Sequence, residues 1–281
     1  MILRLSERKN SFMNKKSIIF NNVSPLDLSL TLDCGQSFRW SENPDGSWHG
    51  VVRGKSVDAL IENGDLVISG DVNEEDRMMW YEYFDLGRDY ESVCNRLKAD
   101  KWLSEAVTAY PGIRILRQEP WETLCSFIIS QNNNIPRIKG IISRLCAEFG
   151  DDAGNGDFSF PSAEVIAEKT AEDLAVLRAG FRVKYILDAA RRVASGEIDL
   201  KQISSMPIEQ ARTQLMKING VGPKVAECAL LYGFGRVEAF PVDVWVRRIM
   251  DELYPEGLPE CTDGVQGIAQ QYLFHWRRNL D

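Results

Sequence analysis

Apolar and polar positions follow two different periods along this chain, and the period changes near Asn73. Before that point, short runs rich in β-branched and aromatic residues ("SFRW" from Ser37, "SWHGVV" from Ser47, "SVDALI" from Ser56, "DLVIS" from Asp65) are split by "ENPDG", "RGK" and "ENG". Alternation along such runs gives a strand one buried face, and the glycine-containing breaks supply the positive φ of tight hairpins. The pattern predicts an antiparallel sheet of about four or five strands. The residues ahead of it, 1–20, are polar and basic and predict a loose, solvated segment.

Beyond Asn73 the apolar residues recur at helical spacing, most clearly Ile138, Ile141, Ile142, Leu145, Cys146 and Phe149, with Lys139, Arg144 and Glu148 off the stripe. "EPWETLCSFIIS" is apolar on most sides, as a central buried helix would be. Breaks fall at "YPGIR", "GDDAGNGDFSFPS", "RAGF", "SMP", "NGVG", "FGR" and "PEGLPECTDG". Sheet first and helices after predicts an α+β fold: an antiparallel sheet domain with flanking helices over 21–110, then a mostly helical body over 111–281. No fixed-period repeat interrupts that order.

Composition changes this picture little. The chain of 281 residues carries 33 Lys and Arg against 41 Asp and Glu, a net charge of −8, which argues against a broad basic face. Residues 201–250 run against the total, with seven Lys/Arg and four Asp/Glu. No apolar run approaches the roughly 20 residues of a membrane span. The expectation is therefore an intracellular monomer with no membrane partner, cytoplasmic, or nuclear if the source is eukaryotic. The six cysteines lie far apart, which predicts reduced core thiols and no metal or cluster site.

One stretch asks for chemistry. "KINGVGPKVAEC", Lys217–Cys228, sets Gly220 and Gly222 around a valine, then Pro223 at the start of an apolar helix. It predicts helix, tight hairpin, helix over 207–235, with the second helix offering its first N–H groups to an anion. Such a unit grips a phosphate through backbone amides, so an acidic protein can still bind DNA. Lys224 stands at that helix start, where the helix dipole and partial desolvation disfavour its ammonium form and favour a nucleophilic amine. Nineteen residues on, "AFPVDVW" places Asp243 at the start of the next amphipathic helix. Taken singly, a phosphate-contacting lysine and a helix-capping aspartate explain the two residues as well, and a non-catalytic hairpin module that recognises DNA structure remains open.

"NGVGPKVAEC" followed by "FPVDV" resembles the helix-hairpin-helix DNA glycosylases, in the bifunctional branch that carries the lysine. "CGQSFRW" at Cys34–Trp40 and "SQNNNIPRI" at Ser130–Ile138 resemble two signatures of the 8-oxoguanine DNA glycosylases, and the resemblance covers about residues 22–278. It implies base excision repair on damaged double-stranded DNA. Lys224 would attack the sugar C1′, expel the base and form a Schiff base that permits strand cleavage by β-elimination, while Asp243 stabilises positive charge or assists proton movement. Gly35 would accept from N7–H of the oxidised guanine through its carbonyl, with Gln270 reading the base edge, Phe274 covering one face and Cys228 lining the other side. Asn132 would fill the hole in the duplex, Phe181 would wedge the stack, and Arg137 and Arg182 would read the cytosine opposite. Gly220 and Gly222 would hold a DNA phosphate by backbone amides.

The resemblance implies no metal or organic cofactor for the chemistry, although a cation held by carbonyls near Ile218 and Val221 could help grip the phosphate. Trp245 stands where relatives often carry a histidine, and His49 and His275, the two histidines, fall on no such motif. The related endonuclease-III branch carries a four-cysteine cluster loop, of which Cys261 alone is present. A glycosylase for another oxidised base stays open as the alternative within the enzyme class.

Overall fold

A computed structural model of the chain describes residues 16–279. Five antiparallel strands form one sheet in the order β1-β5-β4-β3-β2: β1 Ser17–Phe20, β2 Trp40–Glu42, β3 Trp48–Val52, β4 Lys55–Glu62 and β5 Asp65–Gly70. The hairpin signals act as their chemistry requires. Arg53 and Gly54 both take positive φ between the paired Val52 and Lys55, and Asn63 and Gly64 do the same between Glu62 and Asp65. Gly50 is required for another reason, because a Cβ there would sit 2.5 Å from the Trp40 ring across the β2–β3 pair.

Two expectations are corrected in this sheet. Residues 1–15 of the expected loose segment lie outside the described residues, but Ser17–Phe20 form β1, with Ile18 and Phe20 buried and Ile18 opposite Ile68 on β5. "SFRW" is not a strand: only Trp40 joins the sheet, while Phe38 turns away and packs edge-on against Phe127, 5.7 Å between ring centres, in the core of the helical body. A strand would have sent Phe38 and Trp40 to the same face.

The helices follow in chain order: α1 Leu28–Leu32, α2 Arg77–Tyr83, α3 Tyr90–Leu97, α4 Lys101–Ala109, α5 Pro120–Ser130, α6 Ile135–Phe149, α7 Ala163–Ala167, α8 Val183–Ala194, α9 Leu200–Ser205, α10 Ile208–Leu215, α11 Pro223–Gly233, α12 Val244–Leu253 and α13 Gln266–Arg278. A small hairpin, β6 Asp152–Gly154 and β7 Asp157–Phe158, lies in the break expected at "GDDAGNGDFSFPS". The apolar stripe of α6 is buried from Ile138 to Cys146, as its period requires. α5 and α11 are buried on nearly all sides and pack against each other at the centre of the body.

Burial divides the chain into two cores. One joins the sheet to α1, α2 and Leu116, around Trp40, Trp80 and Phe84; the other holds the helical body and already includes Tyr90, Leu97 and Leu103 of α3 and α4. Packing therefore places these two helices with the body, ahead of the boundary expected at residue 110. All six cysteines are free, four of them buried. No helix of the described residues is long and apolar enough to cross a membrane.

Candidate active site

The hairpin between α10 and α11 turns on Gly220, whose φ of +80° only glycine adopts cheaply and whose missing Cβ lets the Tyr185 ring pass within 2.4 Å of where that atom would be. Val221 N–H donates to Ile218 O at 3.0 Å and closes the turn. Asp188 of α8 clamps the turn from outside, accepting from the backbone and the side chain of Asn219 at 2.8 and 2.9 Å. Gly222 is the N-cap of α11 and supplies no side-chain cap; the space where its Cβ would stand is open. The first N–H groups of α11 are thus left to an outside acceptor.

Lys224, in the first turn of α11, is half-buried; its Nζ donates to Ser130 Oγ at 3.3 Å and lies 5.1 Å above the centre of the Phe127 ring. Ser130 and Phe127 belong to α5, so the two central helices meet at the amine. Neither was legible as a partner of Lys224 in the sequence, since a polar residue at the end of an apolar helix carries no signal of what it faces. Asp243 caps α12, with Oδ1 accepting from Val246 N–H at 2.8 Å. Lys224 and Asp243 line one cleft of about 970 Å³, together with Gly35, Asn132, Phe181 and Phe274.

Beneath the cleft lies a recess of about 50 Å³ that shares Gly35, Phe127, Lys224, Asp243 and Phe274 with it and adds Cys228 and Gln270. Gln270 is buried and its Oε1 has no hydrogen-bond partner among the described residues, an acceptor held ready for a guest. Burial pushes the Cys228 thiol up to about 11, against the opposing pull of the Lys224 charge, so the recess wall is a neutral thiol at physiological pH. Gly35, with φ +88°, is held on both sides: Gln271 Nε2 donates to Cys34 O at 3.3 Å and Gln118 Nε2 donates to Gln36 O at 2.7 Å. Gln271 is fixed in turn by Tyr232 Oη at 2.6 Å. No hydrogen bond reaches the Gly35 carbonyl among the described residues.

The opposite wall is the loop from α5 to α6. Asn132 is exposed with φ +48°, in the left-handed region that non-glycine residues occupy at a cost. Asn133 donates to Ile129 O, and Asn134 caps α6 by accepting from the Arg137 N–H. Arg137 is exposed, and Phe181 is 50% exposed at the cleft edge.

Arg182, expected to read the opposite cytosine, points inward. It is 2% exposed, and its guanidinium donates to the carbonyls of Gln131, Asn132 and Ala179. With its fork directed into backbone acceptors it holds the Asn132 loop. The sequence could not show this, because the carbonyls it binds lie about fifty positions away, at Gln131 and Asn132. Trp245 lines the cleft with Arg248 over its ring at 5.3 Å, and Arg247 and Arg278 complete the lip.

The described residues bring Lys224, Asp243, Gly35, Cys228, Gln270, Phe274, Asn132, Phe181 and Gly222 to this cleft and its recess. Arg137, Arg182 and Gly220 are not among its lining residues. Comparison with known proteins gives the arrangement a context. Residues 18–124 match the family described as 8-oxoguanine DNA glycosylase, N-terminal domain, and residues 125–258 match the HhH-GPD superfamily base excision DNA repair protein. An N-glycosylase/DNA lyase of Saccharomyces cerevisiae is 33% identical over 264 residues, covering 83% of this chain and 69% of that one. A probable N-glycosylase/DNA lyase of Methanothermobacter thermautotrophicus is 34% identical, over 83% of this chain and 84% of its own. Among solved structures, the Clostridium acetobutylicum 8-oxoguanine glycosylase/lyase, in complex with double-stranded DNA containing cytosine opposite 8-oxoguanine, superposes with a TM-score of 0.88 at 37% identity, over 95% of this chain and 97% of that one.

Proposed function

The chain belongs to the 8-oxoguanine DNA glycosylase family of the HhH-GPD superfamily, a bifunctional N-glycosylase and DNA lyase of base excision repair acting on duplex DNA, and from that premise we propose how its residues divide the work. The observation that carries the reading is the convergence of Lys224 and Asp243 on one cleft, above a recess that holds an unpartnered acceptor of Gln270.

The hairpin amides at Gly220 and Gly222 take a phosphate, which sets the lesion strand against α11. The damaged nucleotide turns out of the stack into the cleft. A base that enters the recess lies against Phe274, which lines it and covers one face of the base. Gly35 offers its carbonyl to N7–H of 8-oxoguanine; ordinary guanine has an acceptor at N7 and would set two acceptors face to face. Gln270 meets the base edge and Cys228 backs it as a neutral thiol.

The neutral amine of Lys224 then forms a bond to C1′ as the C1′–N9 bond breaks; the base leaves with that electron pair and takes up the proton that the newly bonded nitrogen sheds. Asp243 faces the positive charge that grows on the sugar. Ring opening gives an imine, loss of a C2′ proton expels the 3′ phosphate, and water releases the lysine. Across the cleft Asn132 fills the vacated stack, Phe181 wedges it and Arg137 reads the opposite cytosine. The protein works on DNA as a monomer.

Borohydride reduction tests the central step. Duplex carrying 8-oxoguanine opposite cytosine is expected to yield a covalent protein–DNA adduct that is lost in Lys224→Gln. A panel of lesions in the same duplex checks the substrate: strong cleavage confined to oxidised pyrimidines would overturn the base assignment, and an undiminished adduct in Lys224→Gln would overturn the nucleophile.

A further inference from the structure

Glu227 carries a carboxylate into the protein interior, 6% exposed, one helical turn after Lys224 on α11. A buried charge is costly unless each oxygen finds a strong partner, and here each does. Oε1 accepts from Arg212 Nε on α10. Oε2 accepts at 2.7 Å from the backbone N–H of Phe240. Phe240 belongs to no helix or strand, so its N–H has no ladder or helical acceptor, and the carboxylate is what satisfies it. From Phe240 the chain runs through buried Pro241, whose ring fixes φ, and Val242 to Asp243.

The contact has a geometric consequence. The capping bond to Val246 N–H fixes the Asp243 carboxylate relative to its own helix, α12, and leaves open where that helix start stands relative to Lys224. Earlier in the same connection, Val237 O accepts from Gly267 N–H at 2.7 Å, which ties the loop to α13 and again not to the lysine helix. The bond from Phe240 to Glu227 closes that gap, since it joins the last residues before Asp243 to the helix that carries the amine. Positions three apart on a helix share a face, so Glu227 and Lys224 are offset by one turn on α11.

We propose that Glu227 is a positioning residue for the reaction: charge-paired with Arg212, it holds the Phe240–Asp243 segment at a fixed distance from α11 and so sets the separation of Asp243 from the Lys224 amine. The inference rests on the roles given above to Lys224 and Asp243. It concerns base departure, where Asp243 acts, and leaves imine formation at a sugar that has already lost its base to Lys224 alone.

The test compares E227Q, D243N and the double variant of the full chain by two measurements. One is single-turnover release of 8-oxoguanine from duplex DNA; the other is borohydride trapping on a duplex with a preformed abasic site. Misplacement of a reacting group by about 1 Å costs on the order of a hundredfold, so E227Q is expected to slow base release by about ten- to a hundredfold while trapping on the abasic duplex stays within about threefold of the parent. The double variant is expected to be no slower than D243N alone, since both changes remove one function. Base release at the parent rate in E227Q, a parallel fall in release and trapping, or fully multiplicative effects in the double variant would each overturn the proposal. Should E227Q fail to fold, E227D keeps the charge on Arg212 and withdraws the carboxylate by one methylene; slowed release with preserved trapping supports the proposal, and parent-rate release refutes it. A slow D243N beside a full-speed E227Q sinks this proposal alone, whereas an undiminished D243N sinks the role of Asp243 itself.

Discussion

Arg182 spends its charge on three backbone carbonyls where solvent hardly reaches, and both burial and the neighbouring charge of Arg137 lower its affinity for a proton. A guanidinium in that position stabilises the strained Asn132 turn. Each hydrogen bond from a charged donor contributes about 1.5–3 kcal/mol, so Arg182→Met is expected to destabilise the protein by roughly 2–4 kcal/mol in urea unfolding. Selectivity among the four bases opposite the lesion is expected to survive in that variant and to fall in Arg137→Ala, measured as ratios of single-turnover rates. The reverse pattern would return the reading of the opposite base to Arg182. The contrast between the two arginines also shows what a sequence conveys at this scale. Lys224 and Asp243 were legible because a glycine turn, a proline at a helix start and a capping aspartate are local requirements, written in adjacent residues. The commitment of Arg182, the partners of Lys224 and the bond from Phe240 to Glu227 depend on segments that meet only in the folded chain.

At the scale of elements the same rule separates what period and turn chemistry reveal from what they hide. The hairpins at Arg53-Gly54 and Asn63-Gly64 and the stripe of α6 follow from period and turn chemistry. β1 is not legible in the sequence because four residues are too few to show alternation beside a basic segment, nor are β6–β7, because so short a hairpin is stabilised from outside. His49 supplies part of that stabilisation. Its Nδ1 lies 2.9 Å from Asp58 on β4 and its Nε2 lies 3.0 Å from Asp157 on β7, where Ser56 Oγ also donates to Asp157 at 2.6 Å, so one imidazole fastens the small hairpin to the sheet. The hydrogen bond to Asp58, with the charges of Asp157 and Asp58, raises its proton affinity above the ordinary 6.5. A raised value in the folded state contributes stability that is complete below 6.5 and fades as pH climbs through the folded value. The parent is therefore expected to exceed His49→Gln in stability by about 1 kcal/mol at pH 6, given partial exposure, and to lose that margin as pH rises through the folded-state value. Urea unfolding across pH checks it; a margin that grows with pH would contradict the clamp.

For the molecule as a whole, the difficulty is how a chain of net charge −8 holds a polyanion. The pairing of its cations answers this. Arg39, Arg77, Arg88, Arg117, Arg192, Arg212 and Arg236 are each bound to carboxylates away from the cleft mouth, which neutralises them locally. Arg247 and Arg278 on the cleft lip have no carboxylate partner among the described residues, and Arg248 lies over the Trp245 ring. Unpaired positive charge is thus available on the cleft lip, and the excess of acid over the whole molecule keeps non-specific binding weak without blocking the site. Each phosphate contact adds about 0.9 to the slope of log affinity against log salt, so the double variant Arg247→Ala, Arg278→Ala is expected to flatten that slope by about 2 for undamaged and damaged duplex alike. Arg77→Ala, which removes an arginine already paired with Glu74, is expected to leave the slope unchanged. Equal slopes for the lip variant and the parent would mean that the strand runs elsewhere, over the hairpin amides alone.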